Sequence, residues 1–324
     1  MGEASMRETY GRTLVELGRQ NGDIIVLDAD LSTSTMTNSF GREFPDRFCD
    51  CGLQEQNMVA IAAGLAASGK IVFASTFAVF VICRCFDQLR LCVSQPNLNI
   101  KVVATHGGIS VGEDGISHQA IEDLALSCAL PSFTVVVPAD AIETAEAVKA
   151  AASTYGPFYI RLGRPKTPTV YPERYHFTLG KAVTMRQGKD ATIMATGIMV
   201  ARALEAADIL ARQGIDCRVI NIHTLKPLDE AAIVRAASET GAIVVAEEHL
   251  AQGGLGSRVA QMLAKEKPVP TEFVNLGDRY AMSGKAEELL QRYGLTAGHI
   301  EESVKSAVKR KRGSQIETCE TNGA

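Results

Sequence analysis

Phe48-Cys-Asp-Cys-Gly-Leu-Gln-Glu-Gln-Asn-Met58 leads through a run of small residues to Ser68, and then into Ile71-Val-Phe-Ala-Ser-Thr-Phe-Ala-Val-Phe80. Cys51-Gly52 reads as a turn. Behind it Met58, Ile61, Ala62 and Leu65 recur at i, i+3, i+4 and i+7, the spacing of a helix with one apolar face. The next run, Ile71-Val-Phe-Ala, reads as a buried strand. Glu55 stands at the start of the helix, where a carboxylate meets unpaired backbone N–H groups, and helix capping alone would explain it. Its company allows a second reading, as a working acid: two phenylalanines in 75–80, and Gly112-Glu-Asp-Gly-Ile-Ser-His-Gln119 further along.

Outward from this stretch, apolar runs alternate with helical patterns. Helices are predicted over 6–21, 84–95, 120–129 and 140–154, and strands at 23–28, 71–74, 100–106, 133–138 and 157–162. Such alternation indicates a parallel sheet covered on both faces. Ala29-Asp-Leu-Ser-Thr-Ser-Thr-Met-Thr-Asn-Ser39 reads as a hydroxyl-rich loop at a strand's carboxyl end, where open α/β sheets place ligands; an ordinary polar loop is the other reading. Residues 163–180 hold Pro165, Pro168 and Pro172 without periodicity and read as a linker. A second alternating unit follows, with strands at 191–197, 217–221 and 242–247 and helices at 199–213, 228–239 and 254–265. The expected fold class is therefore α/β, with two domains, each a mostly parallel sheet with helices on both faces. The boundaries are 1–162, linker 163–180, 181–308, and a polar tail at 309–324 expected to be disordered.

At 324 residues the chain suits two cores rather than one. Hydrophobic residues make up 46% and charged ones 22%, with no apolar run near the roughly 18 residues of a membrane span. The acid-bearing start, Met-Gly-Glu-Ala-Ser-Met-Arg-Glu, reads as neither a secretory signal nor a transit peptide, so a cytoplasmic protein without a membrane is expected. A net charge of −4 argues against a nucleic-acid partner. The eight cysteines include Cys49-x-Cys51 and Cys83-x-Cys85. That spacing differs from the C-x2-C of zinc sites, so the cysteines read as free thiols and no metal ligands are assigned.

Leu53-Gln-Glu-Gln-Asn-Met58, Ser75-Thr-Phe-Ala-Val-Phe80, Asp87-Gln-Leu-Arg90 and Gly112-Glu-Asp-Gly-Ile-Ser-His-Gln119, in this order and spacing, resemble the pyrimidine-binding half of transketolase. The second half resembles the transketolase C-terminal domain through Asn221-Ile-His-Thr-Leu-Lys-Pro-Leu-Asp229 and Glu247-Glu-His-Leu-Ala-Gln-Gly-Gly-Leu-Gly256. The resemblance implies a thiamine diphosphate site. It makes Glu55 the buried acid that pairs with the cofactor's aminopyrimidine, partly protonated or sharing a proton with it. Leu53 would wedge the cofactor into its bent shape, Phe80 would stack on the pyrimidine, Phe77 would line the pocket, and Asp30 would lie near the thiazolium. For Phe77 and Phe80, core packing is the plainer reading. His106, Asp114 and His118 are implied around the sugar substrate, with His118 also catalytic; without the resemblance, Asp114-x3-His118 is a possible metal pair. Arg7, Ser34 and Arg164 are implied to hold the substrate's phosphate, for which guanidinium forks are suited. Arg161 is read as structural. Arg84 follows a one-residue insertion and receives no role. His223 and His249 read as structural or interfacial.

The family's Gly-Asp-Gly motif, which anchors the divalent ion of the diphosphate, is absent: Gly22-Asp23 continues with Ile24 and Gly277-Asp278 with Arg279. The resemblance therefore implies the C-terminal subunit of a split transketolase, moving two-carbon ketol units between sugar phosphates of the pentose phosphate pathway. An N-terminal transketolase subunit would carry the diphosphate and Mg2+ (or Ca2+), in an α2β2 heterotetramer with a homodimer contact. The rival readings are half of a 1-deoxy-D-xylulose-5-phosphate synthase, a 2-oxoacid dehydrogenase β subunit, and a non-catalytic regulatory subunit.

Overall fold

The computed structural model describes residues 2–321. A seven-stranded sheet runs in the order Thr224–Lys226, Thr134–Val136, Phe158–Arg161, Ile100–Thr105, Ile71–Phe77, Ile24–Asp28, Phe48–Asp50. All neighbours are parallel except the first pair. A five-stranded sheet follows in the order Thr271–Val274, Ile243–Ala246, Ala191–Ala195, Cys217–Asn221, Val183–Arg186, with only the last pair antiparallel. This is the two-domain α/β architecture expected from the alternation.

Strand side chains point alternately to opposite faces, and each face of the first sheet is buried. Leu27, Val72, Ala74, Val102 and Ala104 pack with Met58, Val59 and Ala62 of the helix Glu55–Ala67. Val26, Phe73, Val103 and Ile160 pack with Tyr10, Leu14, Ala147 and Val148, from the helices Met6–Gln20 and Ala141–Ser153. The first of these cores continues into the second sheet through Met194, Ile220, Ile243 and Val245. The strand Thr224–Lys226 also crosses from the second unit to extend the first sheet. The two units are joined by shared packing as well as by the connecting chain.

Three expectations change. Residues 163–180 are not without structure: Lys166–Pro168 forms a strand paired with Glu3–Ser5, and Asp140 accepts from the N–H groups of Val170 and Tyr171. The helix predicted over 84–95 starts earlier, as Ala78–Arg84, and continues irregularly through Phe86–Gln88 and a wider turn at Leu89–Ser94. Phe80 is thus held on a helix rather than a loop. The terminal helix runs Ala297–Thr321, so the chain from 309 extends it instead of beginning a disordered tail. The basic run that suggested a tail has partners: Lys311 donates to the carbonyls of Asp190 and Thr240, and Arg310 to Glu272. Residues 322–324 lie outside the described residues.

At the seam between the units Arg161 is buried, with Nε 3.0 Å from Asp123 Oδ2. Its Nη2 donates to the carbonyls of Ala120 and Glu248, each at 3.0 Å. Tyr159 donates to the same Asp123 oxygen at 2.7 Å. Charges so far from water are stable only together, because either one left alone keeps its full desolvation cost. Arg161→Met should therefore destabilise the chain by about 3–5 kcal/mol in chemical denaturation; a loss below about 1 kcal/mol would show that the seam does not depend on this ion pair.

Candidate functional site

The strand order explains how residues far apart in sequence meet. Phe158–Arg161, Ile100–Thr105, Ile71–Phe77, Ile24–Asp28 and Phe48–Asp50 are consecutive neighbours running the same way, so their carboxyl ends form one edge. Arg164, His106, Phe77, Asp30 and Glu55 all leave the sheet at that edge, the position where such sheets bind ligands.

Glu55 is the first residue of its helix and is 3% exposed. Its Oε1 accepts from Arg84 Nη1 at 2.7 Å. The carboxylate thus has a cation for a partner within the chain. Arg84 was given no role there, yet its guanidinium carbon lies 4.2 Å from the centroid of the Phe80 ring. Gln56 Nε2 holds the Arg84 carbonyl at 2.8 Å. Leu53, Gln54, Glu55, Gln56 and Arg84 line a cleft of about 320 Å3, into which Leu53 presents a largely exposed side chain.

From Phe80 the ring contacts continue. Phe77 stacks on Phe80 at 5.6 Å and on His106 at 3.7 Å, and His118 meets Phe80 edge-on at 5.2 Å. Phe77 is buried, so for it packing and pocket-lining are the same thing; Phe80 is half-buried, with Arg84 over its ring.

His106 adopts φ 62°, a left-handed backbone uncommon outside glycine, and its Nδ1 contacts Thr105 Oγ1 at 2.9 Å. Burial pushes its pKa down to about 3, helped by Arg7, Arg164 and His118 nearby. It is therefore a neutral imidazole at ordinary pH. Arg7 is itself lowered from the usual guanidinium range by burial and then by Arg164. It donates to the Ser34 carbonyl at 2.6 Å, while its buried Nε has no partner. Arg164 donates to the Val111 carbonyl and lies 3.8 Å from Asp114. Two guanidiniums, a buried N–H without an acceptor and a histidine held neutral by burial form a pocket rich in positive charge.

The hydroxyl-rich stretch behaves differently from expectation. It folds into Ser32–Thr35 and Asn38–Glu43, and two of its hydroxyls turn inward: Thr35 and Thr37 donate to buried Asp28 at 2.7 and 2.8 Å, with Leu31 N–H at 2.7 Å. Burial raises Asp28 to about 6 in spite of these bonds. Sequence reading treated Asp28 only as a strand end; the four hydroxyl residues between Ser32 and Thr35 were the available sign that a buried acceptor lay near. Asp30 projects from the same turn at φ 62°, its N–H bound to Asp50 Oδ1 at 2.9 Å.

The second unit supports the glycine-rich loop. Glu248 Oε1 accepts from Ser110 N–H at 2.6 Å, Gln119 Nε2 donates to the Met282 carbonyl at 3.0 Å, and Leu250 N–H reaches the Ile121 carbonyl at 3.0 Å. A Cβ on Gly108 would fall 2.0 Å from Glu248 Cδ, so only glycine lets the loop approach this closely. The N–H groups after the glycines 253 and 254 are taken by the chain's own carboxylate: Glu247 accepts from Leu255 and Gly256 N–H, both at 2.7 Å. His249 Nε2 meets Ala125 N–H across the seam, and His223 is buried against Phe177. A larger cavity of about 710 Å3, between the strand Lys166–Pro168 and the helix Met199–Arg212, involves none of the candidate site residues.

Residues 2–169 match the transketolase pyrimidine-binding domain, and residues 180–300 the transketolase C-terminal domain. A solved structure described as a split gene transketolase, inactive beta4 tetramer, superposes with a TM-score of 0.88 at 48% identity, covering 96% of this chain and 100% of that one. The 6-deoxy-6-sulfo-D-fructose transketolase subunit of Clostridium sp. strain MSTE9 is 41% identical over 306 residues, 94% of this chain and 95% of that protein. Transketolase-like protein 2 of Mus musculus is 42% identical over 309 residues, 94% of this chain but 49% of that longer protein.

The depressed His106 has a measurable consequence. An unfolded histidine takes up a proton near pH 6.5 that the folded site refuses, so folding stability is intact above that pH and falls as pH drops below it. By pH 5 the loss should reach about 2 kcal/mol relative to His106→Asn, whose asparagine tolerates the left-handed backbone. Denaturation curves of both proteins at pH 7.5 and 5 supply the comparison. Equal pH dependence in the two would mean that His106 is protonated within the fold.

Proposed function

The chain belongs to the transketolase family, and from that premise we propose that it is the subunit of a two-chain, thiamine diphosphate-dependent transketolase that carries the pyrimidine side of the site and the sugar-phosphate clamp. The observation that carries this reading is the convergence, on one sheet edge, of the Glu55–Phe80 seat with the Arg7–Arg164–His106 cation pocket. The near end-to-end match to chains described as a subunit and a split gene product supports the two-chain form.

Whether these residues suit such a cofactor can be judged on the seat itself. A planar, hydrogen-bond-donating cation lies over Phe80 while donating to Glu55. A flat ring with a donor at its edge meets the same two surfaces. Glu55, Phe80, Phe77 and Leu53 would hold the pyrimidine, with Asp30 toward the thiazolium; a divalent ion and the diphosphate would be held by the partner, since this chain has no Gly-Asp-Gly. When bound, thiamine diphosphate supplies the carbanion that carries a two-carbon ketol unit.

This chain's own side chains do the rest. Glu55, buried and aimed at the cleft, orients the ring and exchanges a proton at its edge. His106, neutral at working pH, offers one nitrogen as donor or acceptor to a sugar hydroxyl or carbonyl. His118, on the glycine-rich loop and edge-on to Phe80, moves protons on the substrate's hydroxyls. Asp114 reads a hydroxyl, and Arg7, Arg164 and the Ser34 turn receive the phosphate, whose charge would balance the cation pocket.

The assembly claim is tested by reconstitution. The chain alone should give no ketol transfer from xylulose 5-phosphate; with its diphosphate-binding partner, thiamine diphosphate and Mg2+, turnover should appear. Robust turnover by the chain alone would refute the two-chain reading.

The clamp is tested by Arg164→Ala in the reconstituted enzyme. Loss of a charge-assisted bond worth about 1.5–3 kcal/mol corresponds to roughly a ten- to hundredfold fall in kcat/KM for xylulose 5-phosphate. Hydroxypyruvate, which has no phosphate, should be affected much less. Equal losses on both donors would assign Arg164 to support of the loop, through Val111 and Asp114, instead of to the phosphate.

A further inference from the structure

Arg84 makes the two contacts that the cofactor's aminopyrimidine would need. Its guanidinium is flat and donates to Glu55 Oε1 at 2.7 Å while its carbon lies 4.2 Å from the Phe80 centroid. The Glu55 side chain is 4% exposed and that of Arg84 51% exposed, so the guanidinium sits at the mouth of the seat and closes it against water. A ring stacked on Phe80 where Arg84 lies and bonded to Glu55 requires the volume that this guanidinium fills.

We propose that Arg84 is an internal stand-in for the cofactor ring: it occupies the pyrimidine seat in the free chain and swings out when the ring enters. The proposal rests on the reading that Glu55 and Phe80 receive the pyrimidine. Three local features suit a side chain that leaves while its backbone stays. Arg84 is the last residue of the helix Ala78–Arg84, and Cys85 breaks the regular helical backbone after it. The Arg84 carbonyl is pinned by Gln56, so the anchor does not depend on the guanidinium. Half of the side chain already faces solvent, which gives it a path that disturbs no core packing. The arrangement also has a use. A buried carboxylate without a partner carries a desolvation cost, and Arg84 offsets it until the cofactor arrives.

Displacement means that the cofactor competes with the guanidinium, so removal of the guanidinium should tighten binding. The exposed ion pair and the cation–aromatic contact are each modest, and together they set an expected gain of about five- to thirtyfold in affinity for Arg84→Ala. The measurement is calorimetric titration of thiamine diphosphate with Mg2+ into the full chain complexed with its diphosphate-binding partner, for wild type, Arg84→Ala and Arg84→Lys. Arg84→Lys, which keeps the charge but not the flat face, should fall between the other two. Unchanged or weaker binding by Arg84→Ala would overturn the stand-in role and make Arg84 either a bystander or a ligand of the cofactor. Absence of binding by wild type and variants alike would overturn the cofactor reading and this proposal together. A near-ultraviolet circular dichroism comparison of free wild type and Arg84→Ala, unchanged in both, would show that the affinity gain does not come from a refolded site.

Discussion

Everything at the candidate site hangs on how the second unit grips the glycine-rich loop. Glu248, buried and pushed up from the usual carboxylate range by that burial, accepts from Ser110 N–H and faces the charge of Arg161. Arg161 in turn bonds the carbonyls of Ala120 and Glu248 and pairs with Asp123. The loop from 107 to 119 has little regular structure of its own, two short turns among glycines. Such a segment would otherwise sample many conformations. Clamped at Ser110 by one domain and at Ala120 by an arginine of the other, it presents Asp114 and His118 in one geometry. The C-terminal domain thus contributes to the site without placing a side chain of its own among the candidate residues.

The fold was legible because its strands are short, apolar and separated by helices with clear spacing, as at 24–28, 71–77, 100–105 and 243–246. What escaped were strands too short or too polar to show a pattern: Phe48–Asp50, Lys166–Pro168, and Thr224–Lys226, which exists because a neighbouring sheet edge recruits it. The terminal helix was missed for a different reason. Lys311 reads as solvated from its sequence, but a long side chain can lie along a surface and deliver its ammonium to distant carbonyls, here those of Asp190 and Thr240.

At the site, legibility followed the chemistry of the backbone. Arg164, His106, Phe77 and Glu55 were grouped by the family resemblance, and the fold brings them together because each follows or ends a strand of one parallel sheet. Asp28 could not be found that way, since its importance comes from three donors that turn toward it only after the chain folds. Arg84 could not either. An inserted residue after Phe80 shifts the helical register by about 100°, which removes any pattern-based claim on where the guanidinium points. Only the coordinates bring it over the Phe80 ring.

These two kinds of contact separate the roles of the two halves of the site. Around Glu55 the charges are balanced within the chain by Arg84, and a ligand bonding Glu55 would exchange one partner for another. Around Arg7 and Arg164 the balance is weaker. Arg7 donates to a carbonyl with Glu8 nearby, Arg164 donates to a carbonyl and lies 3.8 Å from Asp114, and a buried N–H of Arg7 has no acceptor. Burial first, and mutual repulsion after it, lowers Arg7 and His106, a cost that the folded chain carries and that an anion entering there would relieve. Binding there should grow stronger as the anion's charge increases and weaken with salt, whereas the seat, already neutral overall, should respond little to either. On the function proposed above, the site is primed by electrostatics where the phosphate would lie and by the exchange of Arg84 for the ring at Glu55.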